Sequence, residues 1–153
     1  MSAHIATVRW SASPGEDFAR GRYSRAHRWE FDGGAVVAAS ASPAIVPAPW
    51  SDAAAVDPEE AFIASLASCH MLFFLDFARR AGVVVSEYED AAEAVMAKGE
   101  DGKVRITRVT LRPRVEFGGV APDAAALDAL HHQAHEACFI ANSVTCEVVM
   151  EAR

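Results

Sequence analysis

The sequence predicts an α+β fold, and three observations predict it. The first fifty residues read as β-structure, with a strong hairpin signal at Asp32-Gly33-Gly34. A single long apolar run, residues 61 to 78, follows a helix start signal and precedes a helix stop. The order β-β-α-β-β-α-β then joins consecutive strands by hairpins, unlike the strict alternation of a doubly wound sheet.

The elements follow in order. Residues 4 to 10 form a short candidate strand, and two more strands lie between Tyr23 and Ser42. Glycine at the turn between them tolerates the positive φ that tight hairpins require. Pro43, Pro47 and Pro49 mark a loop to about residue 56. Asp57 suits a helix N-cap, Pro58 the first helical position, and Glu59 and Glu60 complement the positive helix end. Phe62, Ile63, Leu66, Met71 to Leu75 and Phe77 cover nearly every direction around this helix, which predicts burial on all sides. Arg79, Arg80 and Gly82 close it. One chain of this size has too little other structure to bury such a helix, and an intertwined dimer is expected.

Residues 83 to 98 and 103 to 117 read as a long hairpin turning at Glu100-Asp101-Gly102-Lys103. The alternation slips near Thr107-Arg108, which predicts a bulge or bend there. Pro122 and Asp123 start a second helix running to about Phe139, and a last strand puts Val144, Cys146, Val148 and Met150 on one face. The expected organisation is one domain over 1–153, with an N-terminal β region and proline-rich loop over 1–56 and the helical and hairpin part over 57–153.

Composition narrows the function. The 153 residues are 52% hydrophobic and 23% charged, which suits one globular domain with its own core. A net charge of −7 disfavours nucleic acid and anionic membranes as partners. The basic cluster Arg20, Arg22, Arg25 and Arg28 is broken by aromatics and reads as strand. The N-terminus lacks a secretory pattern, and His70 and Asp76 interrupt the apolar run, so a cytoplasmic protein with a buried central helix is expected. There the three cysteines are reduced thiols, and any disulfide is transient. No glycine-rich phosphate loop follows a strand, so nucleotide binding has little support.

Cys69 lies mid-helix after the small residues Ala-Ser-Leu-Ala-Ser, and Cys138 ends the second predicted helix. Either alone reads as a small core hydrophobe, and Cys146, alternating with valines, reads as core packing. A reactive cysteine must ionise. A neighbouring guanidinium promotes that, and a carboxylate can hold the guanidinium in place. Glu59 and Cys69 are ten residues apart on one helix, about 15 Å along its axis. If both serve one site, Glu59 comes from a partner subunit.

The segment Asp57-Pro-Glu-Glu-Ala-Phe-Ile-Ala-Ser-Leu-Ala-Ser-Cys69-His resembles the N-P-E-x-L-F-A-A-x-x-A-x-C element of the OsmC/Ohr family. Ala134-His-Glu-Ala-Cys138-Phe-Ile-Ala-Asn-Ser-Val resembles that family's second cysteine element. The order of elements agrees, so the resemblance covers nearly the whole chain. It implies antiparallel sheets wrapping long central helices in a domain-swapped homodimer, with active sites at the dimer interface. It also implies a thiol peroxidase acting on organic hydroperoxides, with Cys69 peroxidatic, Cys138 resolving, and Glu59 orienting an arginine. Arg25 is the first choice for that arginine and Arg28 the second. The resemblance implies no bound cofactor and an external dithiol reductant, a lipoylated protein being the family precedent. His70 stands where the organic-peroxide branch often has Phe, and Phe139-Ile-Ala where it often has Pro-Tyr-Ser, so this chain looks closer to a less characterised OsmC-like branch.

Three rivals compete. His131, His135 and Cys138 at i, i+4 and i+7 share a helix face and have the chemistry of a zinc site. Cys69 with His27 as base would make a cysteine hydrolase, because His70, adjacent on the helix, points away. A non-enzymatic dimer could hold a small apolar ligand in its cleft.

Overall fold

The computed structural model describes residues 3–153, which divide into two compact units, 3–61 and 62–153. The first unit holds a three-stranded antiparallel sheet, β1 (Ala6–Arg9), β2 (His27–Phe31) and β3 (Val36–Ala39), in the order β1-β2-β3. The β2–β3 hairpin turns where the sequence signals it. Gly34 takes φ 87°, and its N–H donates to the Phe31 carbonyl. Between β1 and β2, Trp10, Phe18 and Tyr23 pack ring against ring, with centroids 4.5 to 5.8 Å apart. The proline-rich segment is irregular, and the buried Ser40 hydroxyl accepts from the Asp52 N–H to hold it against β3.

Helix α1 (Pro58–Arg80) starts on a reciprocal capping box. The Asp57 carboxylate accepts from the Glu60 N–H at 2.8 Å, and the Glu60 carboxylate accepts from the Asp57 N–H at 3.0 Å. It ends on Gly82 at φ 76°, with the Val83 N–H reaching back to the Ala78 carbonyl in a Schellman closure.

The remaining elements belong to the second unit. They are β4 (Val85–Asp90), β5 (Glu93–Lys98), β6 (Val104–Leu111), β7 (Pro113–Phe117), α2 (Ala124–Ala137) and β8 (Glu147–Met150). The expected long hairpin is present but broken across two sheets, because both arms interrupt at the same level. β5 pairs with β6, whereas β4 pairs with β7 in a separate ribbon. At the break, the Arg112 N–H turns to the Asp90 carboxylate at 2.7 Å. The slipped alternation is a bulge: Val95 faces Arg108 and Met96 faces Ile106, leaving Thr107 extra. β8 joins β6 in parallel, and Val144, Cys146, Val148 and Met150 all face the core as their spacing predicts.

Two apolar clusters organise this unit. Leu66 of α1 packs on Val109 and Leu111 of β6, and Phe74 and Ala78 pack on Leu130 and Ala134 of α2. Side chains as large as Leu66 and Phe74, fully buried, each contribute roughly 1.5–3 kcal/mol. Within the chain only the stripe Leu66, His70, Phe74 and Ala78 is buried, while Leu72 is 61% exposed. The four-residue spacing of that stripe is one helix face, which is all that one chain's second layer covers. By length and composition α1 also suffices to cross a bilayer.

Candidate active site

α1 and α2 bring two of the four predicted site residues together. Cys69 and Cys138 are hydrogen-bonded thiol to thiol, and both are free thiols in this structure. Their settings differ. Cys69 faces an open cleft of about 550 Å³ lined by Ser65, Ser68, Leu72, Phe73, Asp76, Phe139 and Ile140. Cys138 is fully buried. It sits at the junction where α2 ends, its backbone turned out of the helix at φ −64°, ψ 112°. The chain then enters a 3₁₀ turn, Ala141–Ser143, which aims amides back at the sulfur. The Ala141 N–H donates to Cys138 Sγ at 3.4 Å, and the Ile140 N–H also donates.

Burial pushes the Cys138 thiol up to about 11, the hydrogen bond with Cys69 adds to this, and the two amides partly offset it. Cys138 therefore keeps its proton and can donate it toward the Cys69 sulfur. The cleft wall is aromatic: Phe73 and Phe139 meet edge to face at 5.0 Å. Asp76 sits at the rim, its carboxyl held below the usual range chiefly by the Arg79 hydrogen bond and also by Arg80.

Arg25 and Glu59 lie in the first unit. The Arg25 guanidinium donates to the Tyr23 and Gly21 carbonyls at 2.5 and 3.0 Å and lies 3.7 Å over the Tyr23 ring. Arg28, the second choice, is 2.6 Å from Glu30, which also holds Arg9 at 2.7 Å. Arg25 is thus the one of the two whose charge is not already matched by Glu30. Glu59 occupies the first turn of α1. Among the described residues no ion pair joins it to Arg25.

Sequence reasoning missed one feature of the second unit. His70 and His131 form a buried pair, Nε2 to Nδ1 at 3.2 Å, with rings stacked and His131 lying on Phe74 at 4.3 Å. Burial pulls each down to about 4, His131 and His135 lowering His70 further and Asp128 opposing the shift at His131. The signal was present: His70 falls midway between Leu66 and Phe74 on the buried stripe. In the rival metal triad, His131 Nδ1 is hydrogen-bonded to His70 and Cys138 to Cys69. Among the described residues no group of three such side chains is placed to hold a metal. The hydrolase rival loses its base, because His27 accepts from the Trp29 indole on Nε2 and gives its Nδ1 proton to the Arg25 carbonyl.

Comparison with known proteins bears on the same elements. The family model described as OsmC-like protein matches residues 51–153. No curated protein matches the chain. A solved OsmC-like protein of unknown function from Vibrio cholerae is 51% identical, with a TM-score of 0.98 and full coverage of both chains. An organic hydroperoxide resistance protein from Legionella pneumophila has a TM-score of 0.67 at 18% identity, covering 99% of this chain and 96% of its own. The protein OhrB of Bacillus subtilis, named for organic hydroperoxide resistance, has a TM-score of 0.66 at 21% identity, with 99% and 98% covered. At those identities the last two speak for the fold alone. With the family model spanning more than half of the chain and the whole fold shared, the chain belongs to the OsmC-like protein family.

Proposed function

We propose that this protein is a thiol peroxidase that reduces organic hydroperoxides to alcohols. The observation that carries the reading is the thiol pair at the base of an apolar cleft, one sulfur facing the cleft and the other buried behind it. The Cys69 thiolate attacks the terminal peroxide oxygen, the O–O bond breaks, and the alkoxide leaves and takes a proton. The sulfenic acid on Cys69 then meets the Cys138 thiol. A sulfur–sulfur bond forms, and the hydroxyl departs as water with the proton that Cys138 carried. Leu72, Phe73, Phe139 and Ile140 favour an organic substituent on the peroxide over hydrogen peroxide. The names of the Legionella and Bacillus proteins accord with that substrate class.

Arg25 and Glu59 are the electrostatic support in this reading, Glu59 being contributed by a second subunit. The unburied apolar flank of α1 supports a homodimer, domain-swapped as in the family, in which a second copy covers it. A dithiol, such as a lipoylated protein, returns the disulfide to thiols by exchange, and the cytoplasm supplies such reductants. The test is cumene hydroperoxide at low excess over reduced protein, followed by peptide mass spectrometry. A Cys69–Cys138 disulfide is expected, with one alcohol released per disulfide. Protein that binds the hydroperoxide and leaves both thiols unchanged would instead be a carrier of small apolar ligands.

A further inference from the structure

Resting on that reading of the two cysteines, a further question is which sulfur the reductant attacks. Thiol–disulfide exchange is an in-line displacement: the incoming thiolate approaches along the extension of the S–S bond, opposite the departing sulfur. An attack on Cys69 comes from the side away from Cys138. Cys69 lines the cleft, and the entrance that admits a hydroperoxide to this sulfur in the proposed reaction admits a thiol as well. An attack on Cys138 must come from behind a residue with no exposed surface. The backbone of the 3₁₀ turn also stands against its sulfur, with the Ala141 nitrogen at 3.4 Å.

We propose that the reductant opens the disulfide at the Cys69 sulfur, entering through the apolar cleft, and that Cys138 leaves as a thiolate toward the amides of Ile140 and Ala141. The first thiol of the dithiol loses its proton to solvent and forms a bond to Cys69 Sγ. The Cys69–Cys138 bond breaks, and its electron pair goes to Cys138 Sγ. The second thiol passes its proton to Cys138 and attacks the reductant's own sulfur. A cyclic disulfide leaves, and Cys69 returns as the thiolate. Two electrons move from the dithiol to the protein, and no other reactant is needed.

The amides give the departing charge two hydrogen bonds at a position fixed before the reaction, with no reorganisation at the moment of cleavage. Burial opposes charge on this sulfur and so slows its departure. It does not redirect the attack, because the alternative route requires the α2 junction to open first. Cys138 in this scheme serves twice, as nucleophile in the oxidative half and as leaving group in the reductive half, and its sulfur never bonds to the external thiol.

The experiment starts from the disulfide made with diamide, so the outcome does not depend on any hydroperoxide. The oxidised protein is mixed with 2-mercaptoethanol, which cannot cyclise, quenched in acid at early times, and its freed thiol is capped with a maleimide. Cys138 and Cys146 share the tryptic peptide 115–153, so fragment ions locate the cap. Mercaptoethanol on Cys69 with maleimide on Cys138, at least about tenfold over the reverse, is expected from the access difference. Adducts on Cys138, or equal labelling, overturn the proposal. If diamide cannot join the two sulfurs, the redox pair itself fails and the proposal with it. If diamide joins them and cumene hydroperoxide does not, the substrate assignment fails while the site of attack stands.

Discussion

Acid should unfold this protein through one pair of side chains. His70 and His131 are 1% and 4% exposed, and each is drawn from 6.5 to about 4. That difference is worth about 3 kcal/mol per ring, at a little over 1 kcal/mol per decade. The folded state holds both rings neutral while the unfolded chain protonates them, so between pH 6.5 and about 4 the unfolded state binds more protons. Stability therefore rises with pH across that window and is fully present above it. Between pH 7.5 and 4.5 the pair forfeits about 5 kcal/mol, against a total of roughly 5–15 kcal/mol for an ordinary domain. Urea midpoints at pH 7.5, 6.0, 5.0 and 4.5 measure it, with His70→Leu/His131→Phe as the comparison. The wild type should lose about 5 kcal/mol more than the double variant over the range. The variant should also be no less stable at pH 7.5, because His70 Nδ1 and His131 Nε2 lack partners and their loss removes a desolvation cost. Parallel pH profiles for the two proteins would refute the reasoning.

Cys138→Ser should leave Cys69 as a sulfenic acid that dimedone labels, and Cys69→Ser should abolish peroxide consumption; a Cys69→Ser protein that still turns over would remove the nucleophile from the proposal. Leu111→Ala, in the fully buried cluster with Leu66 and Val109, should cost about 2–5 kcal/mol by urea denaturation. Asp123→Ala removes the acceptor for the Ala126 N–H at the start of α2 and should cost about 1 kcal/mol, read as a lower thermal midpoint. Gly82→Ala forces a Cβ into φ 76° at the end of α1 and should cost about 1 kcal/mol in the same assay.

Much of this architecture was legible because its signals are local. The Asp57 cap, the Gly82 stop, the Gly33-Gly34 turn and the Thr107 slip each depend on residues within a few positions, and each falls where the sequence places it. The split of the long hairpin into two sheets was not legible. It depends on Asp90 meeting Arg112 across 22 residues, a contact no local pattern announces. Periodicity reports which faces of α1 are apolar, and the single stripe that one chain buries accords with the expectation that its own structure is too small to cover the whole helix. At the site, the meeting of Cys69 with Cys138 followed from the resemblance, whereas the histidine pair depends on α1 packing against α2. His131 looked like part of a metal face because, along α2 alone, its spacing to His135 and Cys138 is the same whether or not His70 lies opposite.

The backbone at Cys138 has already left the helical conformation, whereas Cys69 is fixed by α1 on both sides. Any travel needed to close a bond between the sulfurs thus falls on the Cys138 side chain at the end of α2, where it breaks no hydrogen bond inside either helix. The redox cycle should therefore leave no trace in far-ultraviolet circular dichroism. Its movement should register instead at Phe139, whose ring rides on the neighbouring residue against Phe73.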